Sequence, residues 1–375
     1  MAKRAQLSEA ERADWLRLIR SDSVGPITFR RLLQRYGSAA DALDALPDLA
    51  ARSGRKRPLK APPKAAIARE LEAAAAIGAR FIALCEPDYP MRLAAIDDAP
   101  PVLCVHGHAQ LFEPQAVAIV GARNASAIGR KMARTIAAAL GEAGVVIVSG
   151  LARGVDGAAH EAALPSGTLA VVAGGVDHIY PPEHAELHQR IAEIGAVIAE
   201  RPMGYAPQAR DFPRRNRLIS GLSQGVLVVE AAARSGTLIT ARYALEQGRD
   251  VYAVPGSPLD PRCQGTNGLI RDGAMLVQSA DDILESLAAD AVVREDPEEA
   301  SDLLGFTAEP RELDPQAVAE LRAEVLDLLT AAPIHRDELL RETGASPSQL
   351  ADALLTLVLA DDADEIPGGS FVRRY

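Results

Sequence analysis

At 375 residues the chain is longer than one domain usually needs, and a 48% hydrophobic content without long polar tracts allows two or three separate cores. Its three cysteines, Cys85, Cys104 and Cys263, are far apart and form no CxxC or Cys/His pattern, which argues against both a disulfide framework and a structural zinc site. The formal charge of −11 hides a division: residues 281–375 hold 7 basic and 23 acidic side chains, residues 1–280 hold 33 and 28, so the body is mildly basic and a polyanionic partner is not excluded.

In chain order, residues 1–80 read as a small helical domain. Helical periodicity starts near Leu7 and continues through Trp15, Leu16, Leu18 and Ile19. In "SVGPITFRRLLQRYGS" (23–38), Gly25-Pro26 marks a turn between two helices, and Ile27, Leu32, Leu33 and Tyr36 give the second an apolar face. The pair resembles SAM and helix-hairpin-helix domains, some of which touch DNA backbone; a pure packing role stays equally open. The basic, proline-rich stretch "RSGRKRPLKAPPK" (52–64) reads as a solvated loop. The charged N-terminus carries no apolar leader, and no run is long enough to cross a bilayer, so a soluble cytoplasmic protein without membrane contact is expected.

Residues 81–290 change rhythm. "AVAIVG" (116–121), "VVIVSG" (145–150), "TLAVVAG" (168–174), "AVIAE" (196–200), "GVLVVEA" (225–231) and "DVYAVPG" (250–256) are short Val/Ile-rich runs separated by helical segments. That alternation predicts an α/β domain, a doubly wound parallel sheet covered on both faces. An acidic linker, 291–315, follows. Residues 316–375 then read as helix, turn, helix, turn, helix and hairpin, the order of a winged helix. Its third helix, about 346–360, has no Arg or Lys, and Asp352, Asp361 and Asp362 lie on or just after it. Phosphates would be repelled there, which favours a protein-interaction or regulatory role.

Ligands of such sheets bind beyond the carboxyl ends of the strands. The loops there supply Gly121, Arg123 and Ser126; Gly150 and Arg153; Ser235 and Gly236; and, after the fourth strand, "FPRRNRLIS" with Arg214, Arg215, Asn216 and Arg217. Glycines let backbone N–H groups approach a phosphate, and guanidinium groups match its oxygens in pairs. The arginines look placed at the start of a helix, against the preference of its dipole, and a local rule broken that way often marks a functional site. "VGARNAS" is not GxGxxG and no GxxxxGK[ST] occurs, so neither NAD nor a P-loop nucleotide is expected, nor any other cofactor or metal. Asp156 and His160, four apart, are the best catalytic candidates, but capping by Asp156 and packing by His160 explain them as well; Glu230 is expected to accept hydrogen bonds from a neighbouring loop.

The stretches "YPMRLAAIDDAPPVLCVHG", "VAIVGARNAS", "IVSGLARGVDGAAH", "VAGGVDHIYPPEH", "FPRRNRLISGLS", "VVEAAARSGTLITARYALEQGRDVYAVPG" and "GTNGLIRDGA" resemble, in order, the DprA/Smf family of DNA-processing proteins. The resemblance implies an extended Rossmann-like domain that dimerises and binds single-stranded DNA without base preference. It also implies protection of incoming DNA, loading of a RecA-type recombinase during natural transformation, and no catalytic activity. The DNA contacts it implies are Arg123, Ser126 and Arg153, with Arg215, Asn216 and Arg217 on the same pocket and Arg214 beside them. The rim is poor in aromatics: Phe212, Tyr180 and Tyr205 are the nearby ones, and Phe212 could equally be a hydrophobic staple. The alternative is a nucleotide-cleaving enzyme, because the sheet also resembles phosphoribohydrolases with a PGGxGT loop before a catalytic Glu. Here "ARSGT" follows Glu230 instead of preceding a carboxylate.

Overall fold

A computed structural model of the chain describes residues 5–52, 59–293, 315–366 and 369–374. Most of the expected acidic linker (294–314) and part of the basic proline-rich loop (53–58) lie outside the described residues.

Four helices open the chain: α1 (Glu9–Ile19), α2 (Pro26–Tyr36), α3 (Ala39–Arg52) and α4 (Lys64–Ala76). Ser8 starts α1 with a capping box. Its hydroxyl accepts the Glu11 N–H at 3.3 Å, and the Glu11 carboxylate accepts the Ser8 N–H at 2.8 Å. Pro26 at the first position starts α2, where a missing N–H costs nothing. Leu16, Leu18, Phe29 and Leu32 are buried between these helices.

The sheet then runs β1 (Ala79–Ala83), β2 (Val102–Gly107), β3 (Ala116–Val120), β4 (Val146–Ser149), β5 (Thr168–Val171), β6 (Ala196–Ala199), β7 (Gly225–Val228), β8 (Asp250–Ala253) and β9 (Met275–Leu276). Its helices are α5 (Met91–Ala94), α6 (Ala127–Glu142), α7 (Val155–Ala163), α8 (Ala185–Ile194), α9 (Asp211–Gly221), α10 (Thr237–Glu246), α11 (Gln264–Arg271) and α12 (Ala280–Val293). The strand order is β1-β2-β6-β5-β4-β3-β7-β8-β9. From β3 the crossovers wind outward through β4, β5 and β6, then return to place β7 on the other side of β3; all of these pairings and those to β8 and β9 are parallel. The six strands expected from the apolar runs are all present. β1, β2 and β9 were not anticipated, and β1 and β2 extend one edge antiparallel.

Strands β3 to β7 are buried along their whole length, as a sheet covered on both faces requires. One face, with Val117, Ile119 and Ile147, packs on Ile136 and Leu140 of α6 and Leu287 of α12. The other is continuous with the apolar residues of the N-terminal helices.

The C-terminal domain comprises α13 (Pro315–Leu328), β10 (Ile334–His335), α14 (Arg336–Thr343), α15 (Pro347–Leu359), β11 (Ala363–Ile366) and β12 (Ser370–Arg373), with sheet order β10-β12-β11. This is a winged helix around Val325, Leu339, Leu354 and Phe371. The short strand β10 completes a sheet that had been read as a hairpin alone.

Candidate nucleic-acid interface

Three strand ends build a cavity of about 280 Å³ on the carboxyl edge of the sheet. The loop after β3 contributes Arg123 and Asn124, and the loop after β4 contributes Gly150 to Arg153. The loop after β5 adds Val172 to Gly174, His178, Tyr180 and Pro181, and the approach to α9 closes the wall with Pro207, Phe212 and Arg215. Among the described residues the lining holds three guanidinium groups and no carboxylate.

Arg215 forms the floor. It is 7% exposed, and its Nη1 donates to the carbonyls of Gly150 (2.7 Å) and Val171. Its Nε is buried without a partner. Burial lowers its pKa to about 10, against the pull of the Asp156 carboxylate, and the charge of Arg123 lowers it further. A buried cation satisfied mostly by neutral carbonyls retains attraction for an anion. Gly150 makes the arrangement possible, because a Cβ there would lie 2.6 Å from Arg215 Nη2. Gly154 (φ +80°) turns the same loop against the loop after β3, where a Cβ would meet the Ala122 carbonyl.

Arg123 stands at the mouth. Its guanidinium carbon is 5.2 Å from the centroid of the Phe212 ring, and the Phe212 and Tyr180 rings lie 5.3 Å apart at 53°. Tyr180 is 45% exposed. The cavity therefore joins cations to an accessible aromatic pair. Arg153 is exposed and pairs with Glu183 across the rim, a surface contact that contributes little.

Other expected residues fall elsewhere. Arg217 does not share the cavity. It is buried, with Nη2 2.7 Å from both Glu200 oxygens and Nε 3.2 Å from Asp98. Burial works against its charge, but Glu200 and Asp98 outweigh it and raise its pKa. Arg214 is exposed and Asn216 half-buried, neither lining the cavity. The arginine run does lie at the entry to its helix, with Arg210 at the N-cap and Arg214 and Arg215 fourth and fifth in α9; Asp211 opens the helix, accepting the Gln208 N–H at 2.8 Å and the Tyr205 hydroxyl at 2.9 Å and pairing with Arg201. Asp211 satisfies the preference of the dipole, while Arg210 at the N-cap opposes it.

Ser126 caps α6. It accepts the Gly129 N–H at 2.8 Å and donates its own N–H (2.9 Å) and hydroxyl (2.5 Å) to Glu230, the loop contact expected of that carboxylate. Gly121 packs under α7, where a Cβ would lie 2.5 Å from Val155 Cγ2. Ser235 bonds Thr237 at 3.0 Å and Gly236 precedes α10, both outside the cavity. Asp156 does not cap a helix. It lies inside the first turn of α7 and accepts the N–H groups of Gly150 (3.1 Å) and Ala152 (3.3 Å), while burial pushes its pKa up. His160 is buried against Thr168 (2.8 Å), its pKa lowered to about 3 by burial. Among the described residues no group of three or more His, Cys, Asp or Glu could hold a metal, and no helix is long and apolar enough to cross a membrane.

Sequence reading missed His178, Pro181 and Pro207 in the cavity wall and the pairing of Tyr180 with Phe212. "GGVDHIYPPE" directly follows a strand, so the signal was present, but its aromatic ring sits nine residues beyond the strand end.

A Rossmann-like sheet with a cationic, glycine-walled cavity at its strand ends, flanked by a helical domain and a winged helix, defines an α/β protein of the doubly wound class. Within that class, the chain belongs to the DprA/Smf family. Residues 80–288 match the family described as DNA recombination-mediator protein A, residues 9–73 a DprA-like N-terminal HHH domain, and residues 309–369 a DprA winged helix domain. It is 41% identical to Protein Smf of Escherichia coli K12 over 284 residues, covering 75% of this chain and 74% of that one. It is 44% identical to DNA processing protein DprA of Bacillus subtilis over 213 residues, covering 56% and 72%. The X-ray structure of DprA from Streptococcus pneumoniae superposes with a TM-score of 0.64 at 35% identity, covering 75% of this chain and 98% of that one. A Helicobacter pylori DprA structure, described for its single-stranded DNA binding mode, gives 0.53 at 30% identity, covering 57% and 97%.

Proposed function

We propose that this protein binds single-stranded DNA at the strand-end cavity, protects incoming strands in DNA processing for natural transformation, and helps to load a RecA-type recombinase. It does so without catalysing a reaction, as a homodimer joined through the Rossmann-like domain. The observation that carries the reading is the convergence of Arg123, Arg153 and Arg215 from separate crossovers on a cavity whose lining, among the described residues, holds no carboxylate. The cations take phosphates, and the Tyr180–Phe212 pair offers a stacking face that only an unpaired base can reach. Backbone cations and a ring read no sequence, which fits binding without base preference. The H. pylori relative's description and the names of the bacterial relatives support the ligand. The enzymatic alternative is weakened by chemistry: Asp156, His160 and Glu230 are each held by internal hydrogen bonds.

The test is fluorescence anisotropy with labelled oligo-dT and oligo-dA of about 20 nucleotides across a salt series. The expected result is comparable affinity for both, with Arg123→Ala and Arg153→Ala each flattening the salt slope by about 0.7. Unchanged slopes in the double variant would remove DNA from this cavity.

A further inference from the structure

The winged helix covers one face of α15, leaving its N-terminal end, Pro347, Ser348 and Ala351, exposed. Leu355 and Leu359 on that helix, 3% and 0% exposed, belong to the apolar cluster of the N-terminal helices, whereas Leu350, Leu354 and Leu357 serve their own domain. Around this contact, carboxylates of the winged helix meet donors of the N-terminal domain. Asp352 pairs with Arg35, Glu365 with Arg31 at 2.6 Å, and Asp361 accepts the Ser23 hydroxyl at 3.1 Å. Ser23 and Asp361 both adopt positive φ, 58° and 63°, a strained backbone for residues other than glycine.

The charges are segregated. Residues 26–38 hold three arginines and no acid, while residues 315–375 hold 11 acidic and 5 basic side chains. Arg31 and Arg35 are four apart on α2, one turn and about 6 Å along a single face. Their pairing with the winged helix is incomplete: Arg31 Nη1 and Glu365 Oε2 are both buried without partners. A buried pair that leaves a donor and an acceptor unsatisfied holds two domains together weakly. The contact thus combines detachable apolar docking with carboxylates positioned where another anion could sit.

We propose that Arg31 and Arg35 form a second nucleic-acid site, specific for the phosphodiester backbone, which the acidic winged helix covers as an intramolecular phosphate mimic. A nucleic acid is the occupant because its regularly spaced charges suit two guanidinium groups one helical turn apart, and because release of its counterions gives a drive that isolated carboxylates lack. The third helix of the winged helix, unfit to bind phosphate itself, then acts by yielding its place to one.

The experiment uses the full chain with Arg123→Ala/Arg153→Ala, which removes two of the three guanidinium groups of the strand-end cavity; every gain is read against this background, so the outcome does not depend on the function proposed above. Leu355→Asp/Leu359→Asp opens the docked face while adding only negative charge; Asp352→Lys/Glu365→Lys opens it by repulsion from Arg35 and Arg31. Binding of a labelled single strand and a matched duplex is measured across salt, with poly-glutamate as a competitor. The expected result is an affinity gain of about tenfold at low salt in the opened variants, with a single-strand slope about 1.4 steeper, equivalent to two further phosphate contacts. Arg31→Ala/Arg35→Ala should abolish the gain. No gain in either opened variant, a gain that survives loss of both arginines, or equally effective competition by poly-glutamate overturns the proposal.

Discussion

Gly150→Ala separates the geometry of the cavity from its charge, since it removes no cation. A Cβ at this position would lie 2.6, 2.7 and 2.8 Å from Nη2, Nη1 and Cζ of Arg215. Ordinary contact begins near 3.4 Å, so the guanidinium must retreat by roughly 1 Å. It cannot do so while keeping its bonds to the Gly150 and Val171 carbonyls. Overpacking of this kind costs about 1–3 kcal/mol of stability. The backbone itself tolerates alanine, because Gly150 has no positive φ. With Arg215 displaced, one phosphate contact is lost, which flattens the single-strand salt slope by about 0.7 and weakens binding several-fold. Thermal melting and anisotropy on the same preparation measure the two effects. A variant that melts lower but binds with wild-type affinity and slope would refute the assignment of Arg215 to the ligand.

Arg217→Met should act in the opposite way, lowering stability by about 2–4 kcal/mol because Glu200 and Asp98 lose their partner, with the salt slope untouched; denaturant unfolding beside anisotropy checks both. Phe212→Ala should weaken binding of every base by about 1–3 kcal/mol without changing the slope, measured with homopolymers. Docking of the winged helix should depend on pH through Glu365. Burial pushes its pKa up from 4.5 to about 7, against the attraction of Arg31 and Arg336 and with the help of Asp97. The docked state therefore keeps a proton that the undocked state releases, so this contribution is present at low pH and is lost as pH rises through about 7. The urea midpoint of the winged-helix transition should be higher at about pH 5.5 than at about pH 8, and a Glu365→Gln variant should lose that difference.

Much of the sheet was legible because the six central strands are short Val/Ile-rich runs, most of them closed by a small residue, the pattern of a strand buried on both faces. β1 and β2 escaped because they pair antiparallel at the edge and lie beside the helical domain, while β9 is two residues long. Arg123 and Arg153 were readable from their places after strands β3 and β4. The grouping of Arg215 with Arg217 was not sound, and the helical reading already held the reason: residues two apart on a helix point about 200° from each other, so both could not face one cavity. What no local pattern could supply was the Asp98 partner of Arg217, which lies more than a hundred residues earlier in the chain. The docking of α15 onto α2 was likewise invisible, because it joins apolar residues some three hundred positions apart in the chain.

The most direct test of the central claim is a crystal structure of the protein with a short oligo-dT. The account predicts a phosphate within about 3 Å of the Arg123 or Arg215 guanidinium and a base against the Tyr180–Phe212 rings. A strand lying on another face, with the cavity at the ends of β3, β4 and β5 empty, would contradict it.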